Sequence, residues 1–256
     1  MNFKQLACST ILLSSISHGV LAGEVESTNN NLELTSSFIQ NQVQQNMSIG
    51  RAIKSIVQHY PQEAASIIDT ALDMYPEQYK EIIHAAISAQ PTLTQEVVTI
   101  ALRKGISSCS SIVETAINAD PSYVDFIVTA AANSTPSELD EIVRIAVVTE
   151  PDSADYIVQS LAKEHPSKLV EILTSAIGAV PLVGEYVVEA LLASFPNDAE
   201  VVITTAVRES SAQREQVKRI IETGQNSGIS LENLERYATN GGATAEEVAQ
   251  ATSKTH

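Results

Sequence analysis

Every proline in the chain stands on one fifteen-residue ladder: Pro61, Pro76, Pro91, Pro121, Pro136, Pro151, Pro166, Pro181 and Pro196, with Ile106 on the one rung that lacks proline. Self-similarity at a fixed period marks a repeat protein. Each unit is a supersecondary piece that buries its apolar face only against its neighbours, so the chain folds as a stacked array.

The content of a rung predicts a helix. Six and seven residues after the rung residue come pairs such as Ile67-Ile68, Ile127-Val128, Ile142-Val143, Ile157-Val158 and Val187-Val188. Ten and eleven residues after it come Ala71-Leu72, Ala131-Ala132, Ala146-Val147, Leu161-Ala162 and Leu191-Leu192, and the third position is often apolar, as in Val124, Leu139 and Leu169. The spacing i, i+3, i+4, i+7, i+8 is one stripe of an α-helix. The β-branched content alone would suggest strands, but the period overrules it.

Local signals set the ends of each helix. Proline disfavours the helical region in the residue before it, so it is expected just outside the helix, leaving about ten or eleven helical residues per rung. The residue after proline is usually of a capping type (Thr92, Ser122, Ser137, Asp152, Ser167, Asn197, and Ser107 on the proline-free rung). Three residues later often stands a side chain able to reach back: Gln95, Asp125, Asp140, Asp155 or Glu200. This resembles a capping box. Gly105 is the expected C-terminal cap before the rung without proline. Helices this short are marginal alone, so the rungs are stable only together.

A second period, of thirty, shows at the fifth position, where Phe126, Tyr156 and Tyr186 alternate with Glu141 and Glu171. Successive helices are therefore not equivalent. The chain is expected to be an all-α solenoid of 15-residue helical rungs paired into αα-hairpins of about thirty residues, with two distinct layers and about six pairs between Asn46 and the degenerate rung at Ser211. The tetratricopeptide pattern, with its period of thirty-four, does not match.

The two ends depart from the ladder. Residues 1–22 combine Lys4, the apolar run Ile11-Leu12-Leu13 and the small-residue site Val20-Leu21-Ala22, the pattern of a secretory signal peptide. Residues 23–45 are polar, with Leu32, Leu34, Phe38, Ile39 and Val43 able to form a loose capping helix. The repeat array is expected over 46–225. Residues 226–256 should form short terminal helices: one over Ser230–Asn240 stopped by Gly241-Gly242, and one opened by a capping box of Thr244 and Glu247.

With 15 basic and 31 acidic side chains, the chain has a formal net charge of −16. Such a field repels nucleic acid and anionic lipid. The most apolar stretch, Ala176 to Phe195, is interrupted by Pro181, Glu185 and Glu189, so no membrane span is expected.

The sequence offers no catalytic motif, no cofactor-binding motif and no metal-ligand spacing. Cys109, at a core-facing position, is expected to be an inert buried thiol, and His59, His84 and His165 to be solvated surface residues. The expected function is that of an exported, periplasmic or extracellular, non-enzymatic binding or scaffold module for a protein, peptide or glycan. A self-associating surface or matrix protein and a helical polysaccharide-acting enzyme are the alternatives. The candidate binding residues are Phe126, Tyr156 and Tyr186. At 100° per residue the fifth position lies about 160° from the apolar stripe of its own helix. Their rings either fill the gap between layers or form an exposed strip that grips an extended ligand.

Overall fold

The computed structural model describes residues 23–46 and 48–253, with side chains from residue 35 onward. The expected signal peptide, 1–22, lies outside the described residues. Fifteen α-helices follow one another, with no strand among the described residues. They are α1 (Gly23–Asn46), α2 (Ile49–His59), α3 (Ala64–Met74), α4 (Tyr79–Ala89), α5 (Thr94–Lys104), α6 (Cys109–Ala119), α7 (Val124–Ser134) and α8 (Leu139–Thr149). Next come α9 (Ala154–Glu164), α10 (Leu169–Ala179), α11 (Gly184–Ser194), α12 (Ala199–Glu209), α13 (Arg214–Asn226), α14 (Leu231–Asn240) and α15 (Ala245–Thr252).

Proline stands outside each of these α-helices, as the sequence predicts, but not in an irregular connection. It opens a single 3-10 turn, as in Pro61–Glu63, Pro121–Tyr123 and Pro151–Ser153, and the α-helix continues from the third residue onward. Proline suits this first position because its missing N–H would have had no intrahelical partner. One residue alone separates helix from turn. Thr135 (φ −135°, ψ 64°) donates its amide back to Ala131 at 2.8 Å, and its carbonyl accepts the amide of Glu138 at 2.9 Å.

This geometry overturns the capping-box expectation along the ladder. The N-cap position of each α-helix falls on the second residue after proline, such as Glu63, Glu138 or Lys168, and no side chain caps it. The reason is continuity: the 3-10 turn supplies backbone carbonyls to the first amides, so those donors need no side-chain acceptor. Side-chain caps of the α-helices themselves occur where proline is missing, although Asp120 accepts the Ser122 amide at the start of the turn opened by Pro121. Ser108 accepts the Ser111 amide at the start of α6, and Ser48 accepts that of Arg51 at the start of α2. Gly105 closes α5 in the left-handed conformation (φ 60°), as its sequence position predicts.

Helices two apart in sequence stack most closely. Even-numbered helices α2 to α14 form one layer and odd-numbered helices α3 to α15 the other, with sequence-adjacent helices facing across the interlayer seam. The core is the predicted stripe: Ile82, Ile83, Ile127, Val128, Ile142, Val143, Ile172 and Leu173 are fully buried. The ninth position adds a second buried row that the stripe does not contain: Thr70, Ala85, Ile100, Thr115, Ala130 and Thr205. This row is buried because each helix is touched by neighbours on three sides, the two of its own layer as well as the opposite layer. The buried threonines satisfy their own hydroxyls, Thr70 donating to the Ser66 carbonyl (2.8 Å) and Thr115 to that of Ser111 (2.6 Å).

Both ends extend the stack although the ladder stops. The polar segment at 23–45 belongs to one continuous 24-residue helix, α1, which packs on α2 and α3 through buried Ile39, while Phe38 meets Tyr60 edge-on at 5.7 Å. At the other end α14 stacks on α12 and α15 on α13. Thr244 and Glu247 form the expected capping box.

Candidate functional site: an exposed aromatic column

Phe126, Tyr156 and Tyr186 occupy the same position of three consecutive helices of one layer, α7, α9 and α11, which stack in that order. They are 48%, 65% and 60% exposed. Rings filling an interlayer gap would be buried, so the structure overturns that reading of the column and leaves the exposed strip. Phe126 leans on Tyr123, with ring centroids 5.6 Å apart.

The strip is bounded. On the α5 side the fifth position is Glu96; on the α13 side it is Gln216, which is buried against Gly184. In the other layer the same position carries Glu141 and Glu171, each paired with a cation of its own helix or turn: Glu141 with Arg144, and Glu171 with Lys168 at 2.6 Å. The Arg144 hydrogen bonds hold the Glu141 carboxyl below its ordinary range. The thirty-residue period thus separates an aromatic face from a salt-bridged one.

Next to the aromatic column stands an acidic row at the fourth position, Asp125, Asp155 and Glu185. Glu185 lies 3.7 Å from Arg219, whereas the carboxylates of Asp125 and Asp155 form no ion pair or hydrogen bond among the described residues. At the step between α9 and α11 the surface opens into a groove of about 440 Å³ lined by Asp152, Asp155, Val180, Leu182, Val183 and Tyr186, among others.

Leu182 and Asp152 were not singled out from the sequence, although Leu182 left a signal. Residues following the rung position are Gln62, Glu77, Thr92, Ser107, Ser122, Ser137, Asp152, Ser167, Leu182 and Asn197, and Leu182 alone is apolar. It is 70% exposed, which packing does not explain.

A second groove, of about 640 Å³, crosses α2, α4 and α6 in the other layer. Arg51, Lys54, Lys80, Glu81, His84 and Glu114 line it, without any Phe, Tyr, Trp or large aliphatic side chain. It carries solvated charge of both signs and, unlike the column on α7, α9 and α11, no exposed Phe or Tyr ring.

Cys109 is buried as predicted. Burial pushes its thiol pKa up, against the opposing hydrogen-bond contact with Thr135 at 3.3 Å. His59 and His84 are exposed, but His165 is not fully solvated: it sits at the helix-to-turn junction with its Nε2 buried and unpartnered. Among the described residues no group of His, Cys, Asp and Glu is arranged to hold a metal ion, and no helix is long and apolar enough to cross a membrane. Comparison of the chain with protein-family models, with curated proteins and with solved structures finds no match.

Proposed function

We propose that the protein is an exported, non-enzymatic helical-repeat module that binds an extended polymer, a peptide or a glycan, along the face of α7, α9 and α11. The observation that supports this most is the exposure of three aromatic side chains in one row on consecutive helices of a single layer. Exposed aromatic rings are costly to leave in water and supply large contact area at low entropy cost, so a row of them on a rigid scaffold is a binding surface. Export rests on the leader-like residues 1–22.

A rigid stack suits this role. Helices in one layer lie about 8–10 Å apart, so the rings sample a long ligand at regular intervals. Because the chain contains no tryptophan, Tyr156→Trp places a single emission reporter on the strip. Titration of that variant with soluble peptide and oligosaccharide panels tests the function. A saturable emission change that disappears in the Phe126→Ser/Tyr186→Ser background, with melting unchanged, is the expected result. Absence of any saturable response across both panels, or a response indifferent to the two serine substitutions, contradicts it.

A further inference from the structure

The groove between α9 and α11 brings an exposed apolar wall together with two unpaired carboxylates. One wall is apolar: Leu182 is 70% exposed, Tyr186 60% exposed, and Val183 lies buried beneath them. The other wall is formed by the carboxylates of Asp152 and Asp155, which have no hydrogen bond or ion pair among the described residues. Glu141 and Glu185, by contrast, are each matched by a cation, Arg144 and Arg219.

A long aliphatic stem ending in a positive charge fits such a groove. The stem covers Leu182, the head reaches the carboxylates, and the Tyr186 ring adds a face for the cation. A neutral sugar would satisfy Tyr186 but leave Leu182 and both carboxylates without complementary groups. The net charge of −16 further draws basic ligands to the molecule.

The step between helices constrains the ligand backbone as well. A polyproline-type segment advances about 9.3 Å per three-residue turn. Same-layer helices repeat about every 8–10 Å, so each turn of such a segment presents the same side to the next ring of the column.

Resting on the strip as the binding face, we propose that the groove of Asp152, Asp155, Leu182 and Tyr186 receives a Lys or Arg side chain of an extended, proline-rich protein segment. The rings of Phe126 and Tyr156 contact the following turns of that segment. The occupant is thus a basic peptide and not a glycan. The sequence sets this one step apart from its equivalents: in the preceding step, Asp152 and Ser153 occupy the places of Leu182 and Val183 and offer no apolar wall.

The test uses the full chain and three probes: a peptide repeating Pro-Pro-Lys, its neutral counterpart repeating Pro-Pro-Gln, and a neutral oligosaccharide. Isothermal titration is performed at low and raised salt. The expected result is saturable binding of the lysine peptide, about ten-fold weaker for Asp152→Asn/Asp155→Asn, with a flatter salt dependence. Leu182→Ser should weaken it as well, and melting should stay unchanged in both variants. Neutral peptide should bind more weakly and be indifferent to the aspartate substitutions. Equal binding of the two peptides, no binding of the lysine peptide, or no effect of the aspartate substitutions overturns the proposal. If the oligosaccharide binds instead and Tyr156→Ser/Tyr186→Ser abolishes that binding, the basic-peptide proposal falls while the strip stands. If the tyrosine substitutions leave every probe's binding unchanged, the strip falls too.

Discussion

The Tyr79 phenol and the Ser111 hydroxyl, on α4 and α6, lie 2.6 Å apart, and Ser107 donates a further hydrogen bond to the same phenol at 3.0 Å. Both serines belong to the one rung without proline. The connection that lost its rigid residue is thus tied to the preceding helix of its own layer. Tyr79→Phe should lower stability by about 1 kcal/mol, read from urea midpoints. Combining it with Ser111→Ala should cost much less than the sum of the two, because both remove the same contact. Full additivity would show that the hydroxyls do not act together.

Removing one thirty-residue unit, 121–150, takes away one helix of each layer and rejoins the array in register, at the cost of one step of the column. The product should remain helical and cooperative. Removing only 136–150 places α9 and every later helix in the opposite layer, so that aromatic positions replace salt-bridged ones. That deletion should be less stable, and a seven-residue deletion less stable still. Circular dichroism and thermal melts of the three proteins make the comparison; equal melting would contradict the two-layer repeat.

How much of this was legible in the sequence follows from what each signal encodes. The proline ladder and the apolar stripe fix the number and length of helices α3 to α12, because they report burial and chain direction at every rung, and the thirty-residue period of the fifth position adds the alternation of layers. The capping pattern misled because Thr92, Ser137 and Ser167 fall inside a 3-10 turn whose carbonyls already serve the amides. Whether Tyr156 pointed into an interlayer gap or into water depended on where the third neighbour of its helix lies, which is a property of the stack and not of the rung. The groove at Leu182 needed both: an odd residue at one rung position, and the knowledge that α9 and α11 are spatial neighbours.

Cys109 tests the core assignment chemically. Burial raises its thiol pKa, which suppresses the reactive thiolate at neutral pH. Labelling with a thiol reagent should be slow in the native protein and rapid in urea. Rapid native labelling would place the start of α6 at the surface.

The cap of the last helix should be sensitive to acid. The Thr244 backbone N–H hydrogen bond, with its hydroxyl and the nearby Arg214 and Lys218, outweighs burial and lowers the Glu247 pKa. The folded value therefore lies below the unfolded one, about 4.3. Its contribution is fully present above that value and is lost as pH falls through the folded pKa. Thr244→Ala should cost about 1 kcal/mol at neutral pH, and Glu247→Gln should flatten the acid limb of a stability-versus-pH curve. An acid limb identical in Glu247→Gln would remove Glu247 from the account.

The central claim is that Tyr156 and Tyr186 stand in water on the free protein and are covered by ligand. Hydroxyl-radical footprinting reads both halves in one measurement, because Tyr79, half-buried and hydrogen-bonded, provides an internal reference in the same chain. In the free protein Tyr156 and Tyr186 should oxidise several-fold faster than Tyr79. Adding the lysine-containing proline-rich peptide should slow both without changing Tyr79. Oxidation of Tyr156 and Tyr186 as slow as that of Tyr79 in the free protein would contradict the claim.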